Sequence, residues 1–408
     1  MLLNRGLSAG VRSLQHRDFR LLWGGLIVSA IGTWMQIVAQ SLLVLRLSHN
    51  SGFALGLVSL AQALSFFLFA LLGGGFADRI DRRRLVLGTQ TLLMCLALAM
   101  GILTIAGIIQ VWMIVVIAFL SGATLSFDQP ARAALISSLV PKEDLLNAIS
   151  LQSAVFNGAA TIGPALAGIT IDAIGLPANF FLNAVSFLAV LFSLFPIHPP
   201  RSVPATGWRR LLAQIREALS SVKRDAVLPG LLLSYGILLF SGPSLPLLLP
   251  VLAVRNLHIT ASTLGLLFSA AGIGAVLGAL LLASISDGVN KSDLLFGAFA
   301  LWVSSLAVVG FSRNLAITFV ALVFFGLSQS VIGAITSTVL QTRVAHEMRG
   351  RVMSLNTLLV MGVRPLGDFP AGALISLLGA PLTAAAASAV VGLAVFSLFV
   401  RRPALRNF

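Results

Sequence analysis

The sequence predicts an all-α membrane protein with twelve transmembrane helices arranged as two pseudo-symmetric six-helix halves. Three observations predict it. Of 408 residues, 58% are hydrophobic and 10% charged, where a soluble domain carries about a quarter charged residues. Twelve spans of roughly 20 apolar residues would occupy about 240 positions, which is the hydrophobic share of this chain. The third observation is an internal repeat at an offset of 204 residues. Together they exclude a soluble enzyme, a nucleic-acid binder and a disordered scaffold.

Apolar runs between polar breaks place spans at 21–45, 53–77, 85–107, 111–136, 150–174 and 178–195, then at 229–253, 263–286, 294–311, 315–340, 353–377 and 382–400. In lipid every backbone amide needs an internal partner, so these runs are helices even where Val, Ile and Gly abound. An even number of spans puts both termini on one side. The segments on that side hold 23 of the 27 Lys and Arg, while Arg46, Arg255 and Arg313 face the other way and Arg364 falls within a span. The positive-inside rule makes that side the cytoplasm. The net charge of +14 therefore reports membrane topology and not affinity for nucleic acid.

The basic first 20 residues lack the compact apolar core and small-residue cleavage site of a signal peptide. Cys95 is the only cysteine and lies in an apolar run, so neither a disulfide framework nor a thiolate metal site is available.

The repeat matches Glu143 with Glu347, Ser150 with Ser354, Gly158 with Gly362, Gly163 with Gly367, Gly168 with Gly372, Gly175 with Gly379 and Pro177 with Pro381. It divides the chain into a six-helix half at 1–196, a linker at 197–228 and a second half at 229–408. The linker opens Pro-rich, which prevents a helix. It continues with Trp208, Leu211, Leu212, Ile215, Leu219 and Val222 at helical spacing opposite Arg209, Arg210, Arg216, Lys223 and Arg224. This pattern predicts an amphipathic helix on the cytoplasmic leaflet or a solvated linker helix. Two halves of like orientation place a substrate site between them at the midplane, and both halves in one chain make a monomer sufficient.

Within the spans, polar residues are the candidates for function. Span 1 shows Gly25, Ser29, Gly32, Gln36 and Gln40 on one face; span 5 adds Ser153, Asn157 and Thr161; span 10 shows Gly326, Gln329, Gly333 and Thr336. Gln36, Gln40, Asn157 and Gln329 can bind donors and acceptors on a mixed polar and apolar molecule, or they can bond neighbouring helices. Tyr235 joins them beside Pro243, Pro246 and Pro250, which make the outer half of span 7 a flexible gate.

Acids inside a bilayer are expensive and therefore functional candidates. Asp128 falls near the cytoplasmic end of span 4, beside Asp78, and reads as a gating charge. Asp368 follows Arg364 by one turn, so the two can pair on one face of span 11. A proton that neutralises Asp368 would free Arg364 to hold an anionic substrate, or the reverse; a permanent structural pair is the other reading. Small residues and a proline in span 5, at Gly158, Gly163, Pro164 and Gly168, allow close helix packing and a local bend.

Several motifs carry no chemistry. Gly6-Leu7-Ser8-Ala9-Gly10 matches a serine-hydrolase elbow by letters but sits in a basic tail. His346-Glu347 begins a zinc-protease motif, yet Gly350 stands where the second histidine is required. No metal or other cofactor is called for, and no phosphate loop is present, so uphill transport by this chain alone runs on an ion gradient.

Gly73-Gly74-Gly75-Phe76-Ala77-Asp78-Arg79-Ile80-Asp81-Arg82-Arg83-Arg84, at the turn between spans 2 and 3, resembles the signature loop of the major facilitator superfamily. Span 5 resembles the glycine-proline motif of its antiporters. His16-Arg17-Asp18-Phe19-Arg20, Ser126-Phe127-Asp128-Gln129-Pro130-Ala131-Arg132, Val140 to Leu145 with Asn147, and Phe156-Asn157 are similar to the exporter group typified by enterobactin and macrolide efflux proteins. One departure is Ala160, where relatives usually carry arginine; the repeat-equivalent position holds Arg364.

The resemblance implies a major facilitator fold and a proton-linked exporter of a small amphiphilic molecule such as a siderophore, macrolide or related drug, not an enzyme. It implies alternating access, with Asp78, Arg79, Arg82, Asp128 and Arg132 closing the cytoplasmic side. Two alternatives share the fold: an uncoupled facilitator or lipid flippase, and a non-transporting membrane sensor.

Overall fold

A computed structural model of the chain describes residues 11–77, 81–197, 216–217, 219–285, 290–345 and 348–406, with the backbone alone at 70–77. Among the described residues, twelve helices are long and apolar enough to cross a membrane. They are α1 (Arg17–Leu47), α2 (Gly52–Ala77), α3 (Arg82–Ile105), α4 (Val111–Leu139), α5 (Leu145–Ile174) and α6 (Leu176–Leu194), followed by α7 (Leu228–Leu257), α8 (Ala261–Ser284), α9 (Lys291–Phe311), α10 (Leu315–Arg343), α11 (Arg349–Leu378) and α12 (Ala380–Arg401). Each expected span lies within one of them or overruns it by at most two residues.

Local chemistry sets the ends. Asp81, Thr260, Asn290 and Asn314 cap α3, α8, α9 and α10 by accepting first-turn amides. Gly175 and Gly379, equivalent in the repeat, have φ of 91° and 86° and each donates its N–H to the carbonyl four residues back at 3.0 Å. Only glycine adopts that backbone without strain, so one turn chemistry joins α5 to α6 and α11 to α12.

Two helices are interrupted. α7 breaks at Gly242–Ser244 into Leu228–Ser241 and Leu245–Leu252, then ends in a π-turn at Ala253–Leu257. Pro243, Pro246 and Pro250 lack amide donors, which places the break in this stretch. α11 carries a π-turn at Leu359–Val363 immediately before Arg364-Pro365; Pro365 has no N–H to give the preceding turn, and a wider turn is one relief.

Packing follows the repeat. In the first half α2 packs on α4, α1 on α5 and α6, and α3 on α4 and α6. In the second, α8 packs on α10, α7 on α11 and α12, and α9 on α10 and α12. The halves meet where α5 crosses α8 and α2 crosses α11. The outer surface is studded with exposed apolar side chains, Phe192, Leu377, Leu393 and Phe396 among them, as lipid contact requires.

The expected linker helix lies mostly outside the described residues, including Trp208, Leu211, Leu212 and Ile215. Its end at 219–224 is helical, and Val222 is buried in the protein core instead of facing lipid. Glu217 pairs with Arg351 and Asp225 with Arg343, tying the connection to the second half.

Candidate substrate-binding site

A cavity of about 370 Å³ lies between the halves, a volume suited to a small molecule. Its first-half wall is Trp34 of α1 with Asn157 and Ala160 of α5. Its second-half wall comes from Tyr235, Leu245 and Pro246 of α7, Phe268 and Gly272 of α8, Phe325, Gln329, Ser330 and Gly333 of α10, and Arg364 of α11. The interrupted α7 therefore supplies lining on both sides of its break, and α11 supplies Arg364 just after its π-turn. Phe268, Phe325, Leu245 and Pro246 give the lining its apolar part, and Asn157, Tyr235, Gln329 and Arg364 its polar part.

Arg364 is half-buried and is the only ionisable cation or acid on the lining among the described residues. With the Gln329 amide oriented to satisfy both groups, its oxygen accepts from Arg364 Nη1 at 3.1 Å and Nη2 at 2.7 Å. Tyr235 is buried in the same cluster.

The structure corrects the expected pairing of Arg364 with Asp368. No ion pair joins them. Asp368 is buried and its Oδ1 accepts the backbone N–H of Ser244 at 2.8 Å. Ser244 precedes the Leu245–Leu252 segment, so the break in α7 exposes a helix N-terminus that a carboxylate satisfies better than water-free lipid could. The guanidinium is left facing the cavity.

Asn157, Tyr235 and Gln329 stand on the cavity wall, whereas two other sequence candidates do not. Gln36 Oε1 accepts from Asn183 Nδ2 at 2.7 Å, and Asn183 Oδ1 accepts from Ser186 at 3.0 Å, so this amide holds α1 against α6. Gln40 is half-buried and off the lining. Trp34, Phe268 and Phe325 escaped the sequence reading; Trp34 adjoins the polar stripe of α1, a signal that could have found it.

Among the gating candidates, Asp78 and Arg79 lie outside the described residues, as do His346 and Glu347 of the rejected zinc motif. Asp128 is fully buried. Its Oδ1 accepts from Thr89 Oγ1 and Gln90 Nε2, both at 2.8 Å, and its Oδ2 pairs with Arg132 at 2.5 Å. Arg82 donates to the Ala134 carbonyl at 3.3 Å. These contacts join α3 to α4 within one half and do not span the two halves, because Thr89 and Gln90 sit one helix away while the second half lies beyond α2 and α5. The sequence segments before α1 and after α4 also converge: Arg12 and His16 meet Asp144 at 3.0 and 2.8 Å, and Ser13 donates to Asn147 Oδ1 at 2.9 Å.

The span-5 motif divides. A side chain at Gly163 would meet Cβ of Trp34 and the Ile31 carbonyl on α1, and one at Gly168 would meet the Ala261 carbonyl of α8. The Pro164 carbonyl abuts Gly265 of α8. Nothing lies within 4 Å of a side chain added at Gly158, so helix packing does not account for that glycine. At the membrane face opposite the termini the α5–α8 crossing is fastened: Asp172 Oδ2 accepts from Ser262 N at 2.8 Å and Ser262 Oγ at 2.5 Å.

The chain matches the family model described as transmembrane secretion effector over residues 8–407. It is 23% identical to the staphyloferrin A transporter of Staphylococcus aureus (83% of this chain, 84% of that protein) and 25% identical to the enterobactin exporter EntS of Citrobacter koseri (92% and 89%). Macrolide efflux protein A of Streptococcus pyogenes is 23% identical over 86% of this chain and 87% of its own. The fold superposes with a TM-score of 0.74 on a bacterial homologue of the human lysosomal transporter Spinster, at 15% identity and 96% and 98% coverage. The chain is thus a multi-pass membrane protein that belongs to the transmembrane secretion effector family of the major facilitator superfamily.

Proposed function

We propose that this protein exports a small amphiphilic molecule of the siderophore, macrolide or related drug type across the bacterial inner membrane, by proton antiport with alternating access. The observation that carries the reading is the cavity between the halves, lined by apolar and polar side chains together, with hydrogen bonds fastening the halves on the face away from the termini. The excess of Lys and Arg at the termini side supports a cytoplasmic location for both termini, so the described state accepts substrate from the cytoplasm. Rocking one half against the other about the α5–α8 and α2–α11 crossings would open the far face, and a single chain suffices for this. Asp128, Arg132 and Arg82 would serve the cycle by keeping α3 and α4 a rigid unit, with Asp78 and Arg79 of the signature sequence completing the cytoplasmic gate.

Asp368 is the coupling acid in this reading. A proton on its carboxylate would weaken the charge-assisted bond to Ser244 N, loosening the segment whose Leu245 and Pro246 line the cavity. It would also remove the negative charge one turn from Arg364. The loss of charge alone favours an anion at Arg364, so it is the loosening of the cavity-lining segment that would make proton and substrate compete, through one element and without touching each other.

The satisfied state of Asp368 also favours a second reading, an uncoupled facilitator or lipid flippase in which that carboxylate only caps a helix. Inside-out membrane vesicles containing the protein distinguish them. Antiport predicts that a labelled siderophore or macrolide accumulates under a proton gradient and that a protonophore abolishes the accumulation. Equilibration indifferent to the protonophore supports the facilitator, and no movement of any panel member contradicts export.

A further inference from the structure

Resting on the export reading, we infer that the substrate carries an anionic group with two adjacent oxygens, such as a carboxylate, which Arg364 receives in the cavity. The charge inventory leads there. Arg364 is the one charged residue on the lining among the described residues. The acid nearest in sequence, Asp368, gives its oxygen to the Ser244 amide and makes no ion pair with the guanidinium. A partly buried cation is costly unless an anion meets it. The Asp368 carboxylate one turn away acts on Arg364 through space but gives it no hydrogen bond, so the donor face of the guanidinium is left for a ligand.

Gln329 occupies the place of that anion. Its single oxygen bridges Nη1 and Nη2 at 3.1 and 2.7 Å, the same pair of nitrogens that a carboxylate engages with two parallel bonds. A neutral amide is the weaker partner, so an incoming oxyanion displaces it at a gain, and the freed amide can turn its N–H toward the ligand. The cavity offers Phe268 and Phe325 to an apolar body. With a guanidinium and aromatic rings on one lining, it suits an acidic amphiphile over an amine of the same shape.

The test uses inside-out vesicles and three matched probes: dansyl-leucine with its carboxylate, dansyl-leucinamide, and the cationic dansylcadaverine. The wild type should move dansyl-leucine about tenfold faster than the amide at equal low concentration, the ratio one charge-assisted pair provides, and should exclude the cation. Arg364→Ala should bring the ratio of carboxylate to amide near one. Gln329→Glu, which keeps the arginine but supplies a resident carboxylate, should do the same, and Arg364→Lys should keep a reduced preference because the two-pronged geometry is lost. Equal movement of amide or amine by the wild type overturns the inference, as does a carboxylate preference that survives both Arg364→Ala and Gln329→Glu. A wild type that moves the siderophore or macrolide panel but none of the three probes also contradicts it. One that moves neither set contradicts export itself.

Discussion

Asp172 and Ser376 are equivalent in the repeat, and each grips the first turn of a helix in the opposite half. Asp172 on α5 accepts the Ser262 amide of α8 at 2.8 Å, and Ser376 on α11 accepts the Phe53 amide of α2 at 2.8 Å. The halves are thus fastened twice on the face opposite the termini, once with an anion and once with a hydroxyl. Anionic acceptors at a helix N-terminus bind about twice as strongly as neutral ones, so the α5–α8 side is the firmer.

Asp172→Asn should therefore loosen this face more than Ser376→Ala does. Spin labels at Ile174→Cys and His258→Cys, in a Cys95→Ser background, measure the separation across it. Asp172→Asn is expected to shift the distance distribution toward longer values, and Ser376→Ala to leave it near the wild type. An unchanged distribution in Asp172→Asn would remove the latch from the account.

The buried Asp128 network makes a stability prediction. Asp128→Ala strands Arg132, Thr89 and Gln90 inside the first half and should cost about 3–5 kcal/mol, the loss typical of breaking a buried ion pair. Thr89→Val removes one donor of three and should cost about 1–2 kcal/mol. Thermal unfolding of the detergent-solubilised protein reads both; equal, small shifts would mean that the network contributes little.

Gly158 and Gly168 separate packing from mere helix composition. Gly168→Leu collides with the Ala261 carbonyl and should hold the halves apart on the far face, abolishing transport while the protein still inserts. Gly158→Ala meets open space and should change stability by no more than about 0.5–1 kcal/mol, in the favourable direction. Vesicle transport and melting temperature together check the contrast.

Gln36→Leu tests whether an amide in a polar stripe faces substrate or a neighbour. Loss of the Asn183 bond should lower stability by about 1 kcal/mol and leave the apparent KM for substrate unchanged. A raised KM with unchanged stability would put Gln36 back at the site.

These residues also show what the sequence made legible. Helix number, the repeat and the weak point in α7 follow from apolar run length, register of glycines and the three prolines, all local properties. Asn157, Tyr235 and Gln329 were found because polar residues on lipid-length helices have few places to go. Gln36 looks the same in sequence, since helical spacing defines a face but not which neighbour covers it. The Arg364–Asp368 spacing gave proximity and not partnership: the better partner for the carboxylate is an amide 124 residues away, exposed only because another helix breaks. Trp34, Phe268 and Phe325 are apolar among many apolar residues, and only the assembled walls single them out.

The most direct test of proton-coupled export is substrate-driven proton movement in proteoliposomes, with Asp368→Asn beside the wild type. The account predicts that the wild type exchanges protons for substrate, and that Asp368→Asn still exchanges labelled for unlabelled substrate but moves no protons. Proton flux of wild-type size in Asp368→Asn, or substrate transport by the wild type with no proton flux at all, would contradict it.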